Sequence, residues 1–314
     1  MSSTGAEAEA EEEADDKMMC CAGCGKAEVD EIKLRTCTAC KSVRYCGIQC
    51  QRDHRPQHKR ECKKRADELR DEILFRQPES SNLGDCPICC LPLSYDPKTS
   101  TSYSCCSKYI CNGCSRANEK REFEERLKHK CPFCRHPLPE SEDEFDKNRM
   151  KRIEANDPVA ICEAGKQHYY GGDYEAAFEY LTKAAGLGDA DAHYQLAMMY
   201  YKGEGVEKDE KKELHHLEEA AIGGHPKARH NLGCVDWENG RLERAMKHFI
   251  IAANHGNDGS MEQLKACYRE GLVSKEDFAA ALHGHQAAID ATKSPQREEA
   301  TEWKRKEDEE SRLV

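Results

Sequence analysis

Apolar and polar positions divide the chain into regions with different periodicities. Between residues 157 and 290 one pattern recurs, with Ala160, Ala192, Ala228 and Ser260 at equivalent positions, separated by 32, 36 and 32 residues. A repeat period in this range is typical of a solenoid built from stacked supersecondary units. We therefore expect a helical solenoid over residues 157–290.

Each repeat predicts two helices. The first carries Ala-x3-Leu-Gly or a near relative, as at Ala228, Leu232 and Gly233. The second ends in paired alanines, which allow helices to approach closely, and a glycine then ends the helix. These pairs and glycines are Ala184–Ala185 with Gly188, Ala220–Ala221 with Gly224, and Ala252–Ala253 with Gly256. In the fourth unit Lys265 replaces the glycine after the leucine, so that unit is expected to be a cap.

The remaining regions are more polar. Residues 63–77 predict a helix with Leu69, Ile73 and Phe75 as its apolar positions, and the following "PESSNLGD" breaks it into a linker. Residues 1–19 hold seven acidic side chains against one lysine, which predicts a disordered acidic tail. We expect a linker over residues 139–156 and a charged tail, or a frayed helix, over residues 291–314.

Composition points to an intracellular protein that binds metal. No stretch reaches the roughly 20 apolar residues of a membrane helix, and no basic region opens the chain as in a signal peptide. We therefore expect a reducing compartment, cytoplasmic or nuclear, in which thiols stay free. Nevertheless 17 of the 20 cysteines lie between Cys20 and Cys134. Cysteines crowded in this way in a reduced chain usually bind metal.

The first cysteine block offers eight ligands in the order Cys-x2-Cys, Cys-x2-Cys, Cys-x3-Cys, His-x3-Cys. They are Cys21, Cys24, Cys37, Cys40, Cys46, Cys50, His58 and Cys62. Eight sulfur and imidazole ligands suit two tetrahedral zinc sites. Pairs four residues apart share one face of a helix, which predicts helical geometry for Cys46 with Cys50 and for His58 with Cys62. Cys20 and His54 are the alternative ligands.

This block resembles a MYND zinc finger over residues 20–62, including the aromatic Tyr45 before the fifth ligand. The resemblance implies interleaved ligand sets. One zinc would take Cys21, Cys24, Cys46 and Cys50, and the other Cys37, Cys40, His58 and Cys62. MYND fingers mostly bind short peptides of partner proteins. A basic run over residues 52–65 could attract nucleic acid, but the overall charge of −11 disfavours such a partner.

The second cysteine block resembles a RING finger over residues 85–138. Its pairs are Cys86-Pro-Ile-Cys89, Cys111-x2-Cys114 and Cys131-Pro-Phe-Cys134, with Cys105 and Cys106 between the first two. Lys108 stands where the usual RING histidine would be, and an ammonium group has no lone pair for a metal. The resemblance then implies a variant with eight cysteines. One ion would take Cys86, Cys89, Cys111 and Cys114, and the other Cys105, Cys106, Cys131 and Cys134, with Cys90 as a spare ligand for Cys105.

A RING finger recruits a ubiquitin-charged conjugating enzyme and positions its thioester, so it has no catalytic nucleophile of its own. The family's contact residues correspond here to Ile88, Pro132 and Arg135. Phe123 and Leu127 could substitute for an aromatic often found on the central helix. The resemblance therefore implies an E3 ubiquitin ligase as one hypothesis, and a non-catalytic scaffold as the alternative.

The loop "YYKGEGVEKD" resembles that of Sel-one-like repeats, relatives of the tetratricopeptide class whose concave surface holds partner proteins. Histidines of the repeats, such as His216 and His225, complete no ligand pattern and are expected at ordinary helix or loop positions. The module order resembles a group of multi-module zinc proteins of algae. The expected fold is thus two small zinc-stabilised fingers with little regular structure, followed by an all-α helical-repeat solenoid. The expected function is a protein-interaction adaptor that holds four zinc ions.

Overall fold

The structure is a computed structural model that describes residues 20–29 and 32–311. The predicted acidic tail, residues 1–19, lies outside the described residues. The chain forms two compact units, the first ending at Arg76 and the second beginning at Gln77. Among the described residues, no helix combines the length and apolar character needed to span a membrane.

The first unit contains the first finger, residues 20–62, and one long helix. Strands β1 (Arg35–Thr36) and β2 (Arg44–Tyr45) pair antiparallel, with Arg35 opposite Tyr45. Helix α1 spans Ile48–Leu74, so the helix predicted from residue 63 is continuous with the finger's last turn. Cys46 precedes α1, and it therefore does not share a helix face with Cys50 as the spacing predicted. A small cluster that includes Leu34 and Tyr45 packs among the cysteines.

The second unit opens with a linker that packs on the repeats. The Asn82 N–H donates to the Gly224 carbonyl at 3.1 Å, and the Gln77 amide contacts Asn254 and His255. A Cβ on Gly224 would lie 2.6 Å from the Ser80 carbonyl oxygen. The second finger, residues 85–138, follows directly. It consists of β3 (Ser100–Tyr103), β4 (Lys108–Cys111) and α2 (Asn112–Glu124), with Tyr103 opposite Lys108 in an antiparallel pair.

A helix also lies where the sequence predicted a linker. Helix α3 (Glu142–Glu154) begins at Ser141, whose hydroxyl accepts the Glu144 N–H. Three acids occupy its first turn and two bases its last, which favours a helix through the macrodipole. Ile153 joins the core of the first repeat.

The solenoid consists of helix pairs. The helices are α4 (Pro158–Tyr170), α5 (Tyr174–Gly186), α6 (Ala190–Lys202), α7 (Glu210–Ile222), α8 (Pro226–Glu238), α9 (Leu242–Ala253), α10 (Asp258–Arg269) and α11 (Lys275–Ala291). The paired alanines are buried, and Gly188, Gly224 and Gly256 take positive φ after the second helices, as predicted. A helical-repeat solenoid therefore follows the cysteine-rich region.

Close packing within the first and third pairs depends on the glycine of the Ala-x3-Leu-Gly pattern, and the second pair has the small Ala197 at that position. A Cβ on Gly233 would lie 2.5 Å from Cε1 of Phe249, and one on Gly165 would lie 2.8 Å from Cγ of Leu181. The fourth pair, α10 and α11, packs less extensively. Lys265 stands at the glycine position there, which gives the physical reason for the looser contact.

The last described residues form a helix, which is one of the two alternatives that the sequence left open for residues 291–314. Helix α12 spans Pro295–Ser311 and packs against α2 of the second finger. The charged sequence of α12 gave no sign of this contact, because among its described side chains Ala300 alone is buried, while Arg297 and Trp303 contact polar and charged groups of the finger.

Candidate metal centres

Four of the five Cys-x2-Cys pairs, all except Cys111 and Cys114, lie in turns with the same backbone geometry. In the last of them, the Arg135 N–H donates to the Cys131 carbonyl at 3.0 Å, and the Cys131 N–H donates to the His136 carbonyl at 2.8 Å. The residue after the second cysteine has positive φ in every case: Gly25 (70°), Lys41 (57°), Cys90 (54°) and Arg135 (61°). This turn directs both sulfurs of a pair to the same side.

The first set in the first finger comprises Cys21, Cys24, Cys46 and Cys50, whose sulfurs lie within 4.8 Å of one another. The Cys24–Cys46 sulfurs are 3.7 Å apart and the Cys46–Cys50 sulfurs 3.6 Å apart. Zn–S bonds of about 2.3 Å in a tetrahedron place sulfurs about 3.8 Å apart. The spacing of this set therefore fits a zinc ion.

The second set comprises Cys37, Cys40, His58 and Cys62. The Cys37 and Cys62 sulfurs are 3.8 Å apart, and Nε2 of His58 lies 3.3 Å from the Cys40 sulfur. Burial is the main cause that lowers the pKa of His58, which favours the neutral imidazole that a metal requires.

His54, the alternative ligand, serves a different role. Its Nδ1 lies 3.1 Å from the Tyr45 hydroxyl, and its ring stacks on that of His58 with centroids 5.5 Å apart. Tyr45, the aromatic residue before the fifth ligand Cys46, thus orients His54, whose ring in turn packs on the candidate ligand His58. Such outer contacts fix the orientation of a metal-binding imidazole.

In the second finger, Cys86, Cys89, Cys111 and Cys114 form one set, with the Cys89 and Cys111 sulfurs 3.8 Å apart. Cys111 ends β4 and caps α2, and its sulfur accepts the Cys114 N–H at 3.5 Å. One residue therefore supplies a candidate ligand and starts the helix that carries the next.

Cys105, Cys106, Cys131 and Cys134 form the other set, in spite of the adjacency of the first two. The Cys106–Cys131 sulfurs are 3.8 Å apart and the Cys134–Cys105 sulfurs 3.4 Å apart. The adjacent pair lies in the tight turn between β3 and β4, where Ser107 has a φ of 54° and donates its N–H to Tyr103. This bend allows neighbouring side chains to face one centre.

Lys108, which stands at the usual RING histidine position, and the alternative ligands Cys90 and Cys20 belong to none of the four sets. Lys108 is exposed at the start of β4. Cys90 is exposed at the positive-φ position of its turn, and Cys20 belongs to none of the metal-ligand groups found among the described residues.

Backbone N–H groups favour the thiolate form of Cys21 and Cys86, the first cysteines of two of these turns. Burial opposes charge on Cys21, but three backbone N–H groups, led by that of Cys46, lower its pKa to about 6. For Cys86 burial again opposes charge, and N–H groups led by that of Cys89 lower the pKa to about 7. Thiolates are the form in which cysteine binds metal, so both turns favour a cation.

The predicted conjugating-enzyme contacts are not equally accessible. Ile88 is 41% exposed and Arg135 is exposed, whereas Pro132 is buried. The neighbouring Phe133, 44% exposed, presents the apolar surface of that turn instead. Nη1 of Arg135 donates to Oδ1 of Asn118 on α2 at 3.0 Å.

Phe123 and Leu127 are also accessible, being 83% and 47% exposed. The basic run of the first unit is exposed along α1, where Lys59, Arg60 and Lys63 lie around Pro56.

A partly buried polar network joins the second finger to the repeats, and no sequence pattern predicted it. The Tyr109 hydroxyl donates to Glu163 at 2.5 Å, and Nζ of Lys166 donates to Glu163 at 2.6 Å and to Asp191 at 3.0 Å. His225 lies 3.4 Å from Asp191. No motif connects these residues in the sequence, because they meet only through packing.

Comparison with known proteins identifies two kinds of module. The MYND finger family matches residues 21–62, and the Sel1 repeat family matches residues 158–189, 190–225 and 226–257. These are the MYND and Sel-one-like modules predicted from the sequence. Two cysteine and histidine clusters of the first finger coincide with the MYND match, which supports zinc binding.

Two curated relatives share part of the chain. "DAP3-binding cell death enhancer 1" of Mus musculus is 25% identical over 174 residues, which cover 43% of this chain and 34% of the relative. The protein of the same name from Rattus norvegicus is 24% identical over 180 residues, covering 45% and 35%. The chain thus spans about a third of the length of the curated relatives it matches.

Two solved structures of repeat proteins match part of the chain. A Sel1 repeat protein from Oxalobacter formigenes has a TM-score of 0.42 and 29% identity, and the match covers 49% of this chain and 66% of that one. The protective antigen c5321 of uropathogenic Escherichia coli strains, which displays an SLR fold, has a TM-score of 0.39 and 26% identity, covering 47% and 33%. The family matches place a MYND finger at residues 21–62 and three Sel1 repeats over residues 158–257, and these modules support a zinc-binding protein-interaction adaptor.

Proposed function

We propose that this protein is an adaptor whose two fingers each hold two zinc ions and whose fingers and repeats hold protein partners. The observation that carries the proposal is the grouping of sixteen sulfur and imidazole ligands into four sets of tetrahedral size. Each finger is small, and its core consists largely of the cysteines themselves. Metal binding would therefore supply much of the folding free energy of both fingers.

Elemental analysis tests the metal content. The purified chain is expected to hold four zinc ions, and Cys106→Ser is expected to hold three. Cys90→Ser is the matched control, because it replaces an exposed thiol outside the four sets, and it should retain four. Two or three ions in the unmodified chain would contradict the proposal for the second finger, and a loss in Cys90→Ser would move a ligand to that residue.

An aromatic row on the repeats, half-buried at Tyr169 and exposed at Tyr201 and Trp237, supports a partner site. Tyr169, Tyr201 and Trp237 stand nine residues after Ala160, Ala192 and Ala228 and so occupy equivalent positions near the ends of α4, α6 and α8. Tyr201 is 59% exposed and Trp237 is 36% exposed. Exposed aromatic side chains are enriched where proteins bind one another.

The names of the mouse and rat relatives suggest the first probe. We propose that the repeats of this chain bind a protein of the DAP3 type through the aromatic row. Isothermal titration with purified DAP3 should give binding that the double variant Tyr201→Ala, Trp237→Ala weakens at least tenfold, because hot-spot aromatics carry about 2 kcal/mol or more each. Leu187→Ala, an exposed apolar change elsewhere on the repeats, is the control. Absence of binding by the unmodified chain would refute this partner, and an unaffected double variant would refute the row.

A second candidate function is ubiquitin transfer by the second finger. Ile88 and Phe133 occupy matching positions of two Cys-Pro-x-Cys turns and are both exposed. On α2, helix α12 packs along Gly113, Arg116 and Lys120, whereas Asn118, on another side of the helix, contacts Arg135. The side of α2 that contacts Arg135 is therefore not the one that α12 covers, and Ile88 stays 41% exposed although Arg297 contacts the adjacent Cys89.

Discharge of ubiquitin from a panel of charged conjugating enzymes tests this candidate. Ile88→Ala should slow discharge at least tenfold, whereas Leu187→Ala should leave it unchanged. No discharge with any enzyme of the panel would leave the second finger as a non-catalytic part of the adaptor.

A further inference from the structure

Helix α12 is anchored on the second finger by several contacts of different kinds. The guanidinium carbon of Arg116 lies 3.8 Å from the ring centroid of Trp303, and Nζ of Lys120 lies 3.8 Å from Glu299. Ala300, on the same helix, is 4% exposed. The C-terminal helix is thus a structural part of the finger.

The backbone of α12 approaches α2 so closely that only glycine fits between them. A Cβ on Gly113 would lie 2.9 Å from the backbone nitrogen of Arg297 and 3.0 Å from its Cγ. Gly113 lies between the candidate ligands Cys111 and Cys114. The closest contact of α12 therefore falls at a metal set.

Arg297 carries this contact to the sulfur atoms. Its Nη2 donates to the Cys89 sulfur at 3.3 Å and to the Leu91 carbonyl at 3.0 Å, and its Nη1 donates to the Pro92 carbonyl at 2.6 Å. Nη1 also donates to the Thr292 carbonyl at 2.8 Å. The Arg297 guanidinium thus connects the turn after Cys89 to the start of α12. It also places a positive charge next to the sulfur of the candidate ligand Cys89.

The negative charge of the Cys86, Cys89, Cys111 and Cys114 set favours a positively charged side chain such as Arg297 beside it. Four thiolates and one divalent zinc leave a net charge of about −2 in a partly buried site. A fixed guanidinium offsets part of this charge, and its planar donors suit several acceptors at once. Groups that contact ligands in this way tune metal affinity.

We propose that Arg297 is the outer counter-ion of the Cys86, Cys89, Cys111 and Cys114 set, so that zinc binding at this set and docking of α12 stabilise each other. The reciprocity is thermodynamic: if docking raises the affinity for zinc, zinc raises the stability of the docked helix by the same factor. The inference rests on the proposal that the second finger binds zinc. It makes α12 a reporter of the metal state of that finger.

The two tryptophans of the chain allow a direct measurement, because Trp237→Phe leaves Trp303 alone on α12. In the Trp237→Phe background, Arg297→Gln removes the positive charge next to the Cys89 sulfur. Gly113→Ala displaces helix α12 but keeps the Arg297 side chain. Arg305→Gln is the matched control, since it removes a guanidinium of the same helix that pairs with Glu309 of that helix.

Zinc competition with a chromogenic chelator should show one of the four ions bound about 10- to 100-fold more weakly in Arg297→Gln and in Gly113→Ala, the range expected for loss of a group that contacts a ligand. Arg305→Gln should match the background, and Arg297→Lys, which keeps the charge, should recover part of the affinity. Chelation of the background protein should in turn increase acrylamide quenching of Trp303.

The possible failures are distinguishable. If the unmodified chain holds no zinc in the second finger, the proposed metal content fails and the inference falls with it. If four ions are held but Arg297→Gln matches Arg305→Gln, only the role of Arg297 is refuted. If zinc affinity falls but Trp303 does not respond to chelation, Arg297 acts on the metal without the linkage to docking.

Discussion

The phenol oxygen of Tyr95 lies 2.6 Å from Nε2 of His225, and this buried contact connects the second finger to the repeats. Nδ1 of His225 accepts the Ala228 N–H at 3.1 Å and so caps α8. The cap leaves Nε2 to face Tyr95 and, at 3.4 Å, Asp191. One histidine therefore starts a repeat helix and binds the finger.

Tyr95→Phe should destabilise the second unit by about 1–2 kcal/mol, because it leaves the buried Nε2 of His225 without its short hydrogen bond. Urea unfolding followed by circular dichroism measures the change. Tyr170→Phe, at a side chain that is 76% exposed, is the matched control and should have no measurable effect. Equal midpoints for the two variants would show that the contact does not stabilise the unit.

Gly233→Ala should destabilise the repeats by about 1–3 kcal/mol, because the new methyl group would meet the buried ring of Phe249. Gly186→Ala, also in a repeat helix but with no atom within 4 Å of the added carbon, should be neutral or stabilising by up to about 1 kcal/mol. Thermal unfolding of both variants gives the comparison. A stable Gly233→Ala would mean that the helices of the third repeat separate without penalty.

Cys90→Gly should retain four zinc ions and be neutral or stabilising by up to about 1 kcal/mol, because glycine adopts the positive φ of this turn without strain. Cys90→Val should be destabilising, since a β-branched side chain tolerates this conformation poorly. Zinc content and thermal unfolding check both changes. If the valine variant is as stable as the glycine variant, the turn does not require this backbone conformation.

The repeats should lose stability as the pH falls from about 7 towards 4. Burial, followed by the neighbours His193 and His215, lowers the pKa of His216 to about 4, below the value of about 6.5 for an unfolded histidine. The unfolded state therefore binds more protons in this window, and the free energy of unfolding decreases as the pH falls. Burial lowers the pKa of His193, His230 and His255 as well, with the same sign.

Melting temperatures at pH 7.5 and pH 5 measure this effect. His216→Gln should reduce the difference between the two values, while His283→Gln, at an exposed side chain of α11 that is not among the groups acting on His216, serves as control. An unchanged difference in His216→Gln would assign the pH dependence to other groups.

The sequence allowed much of the architecture to be predicted because two of its patterns are local. The intervals from Ala160 to Ala192 and to Ala228 indicated the repeats, since each repeat packs mainly on its neighbours. The cysteine pairs indicated their own turns, since a two-residue gap brings two sulfurs together whatever surrounds them. The MYND and RING resemblances then ordered the pairs into sets, and the same sets come together in the structure.

Other features depended on residues far apart in the sequence. The sequence around residues 142–154 and 295–311 has no periodic apolar pattern, so it predicted neither the helix α3 nor the docking of α12. It also gave no indication that Pro132 would be buried. Tyr95 and Tyr109 gave no indication that they would meet His225 and Glu163.

By itself, then, the sequence determined the modules of this protein and the side chains able to bind metal, because ligand spacing and repeat period act over short stretches of chain. Only the tertiary structure decided how the second finger is held. It placed Tyr95 against His225 and Arg297 against the Cys89 sulfur, more than 100 and more than 200 residues away in the chain. Such polar contacts form only when packing excludes water around them, and no local pattern of residues records that event.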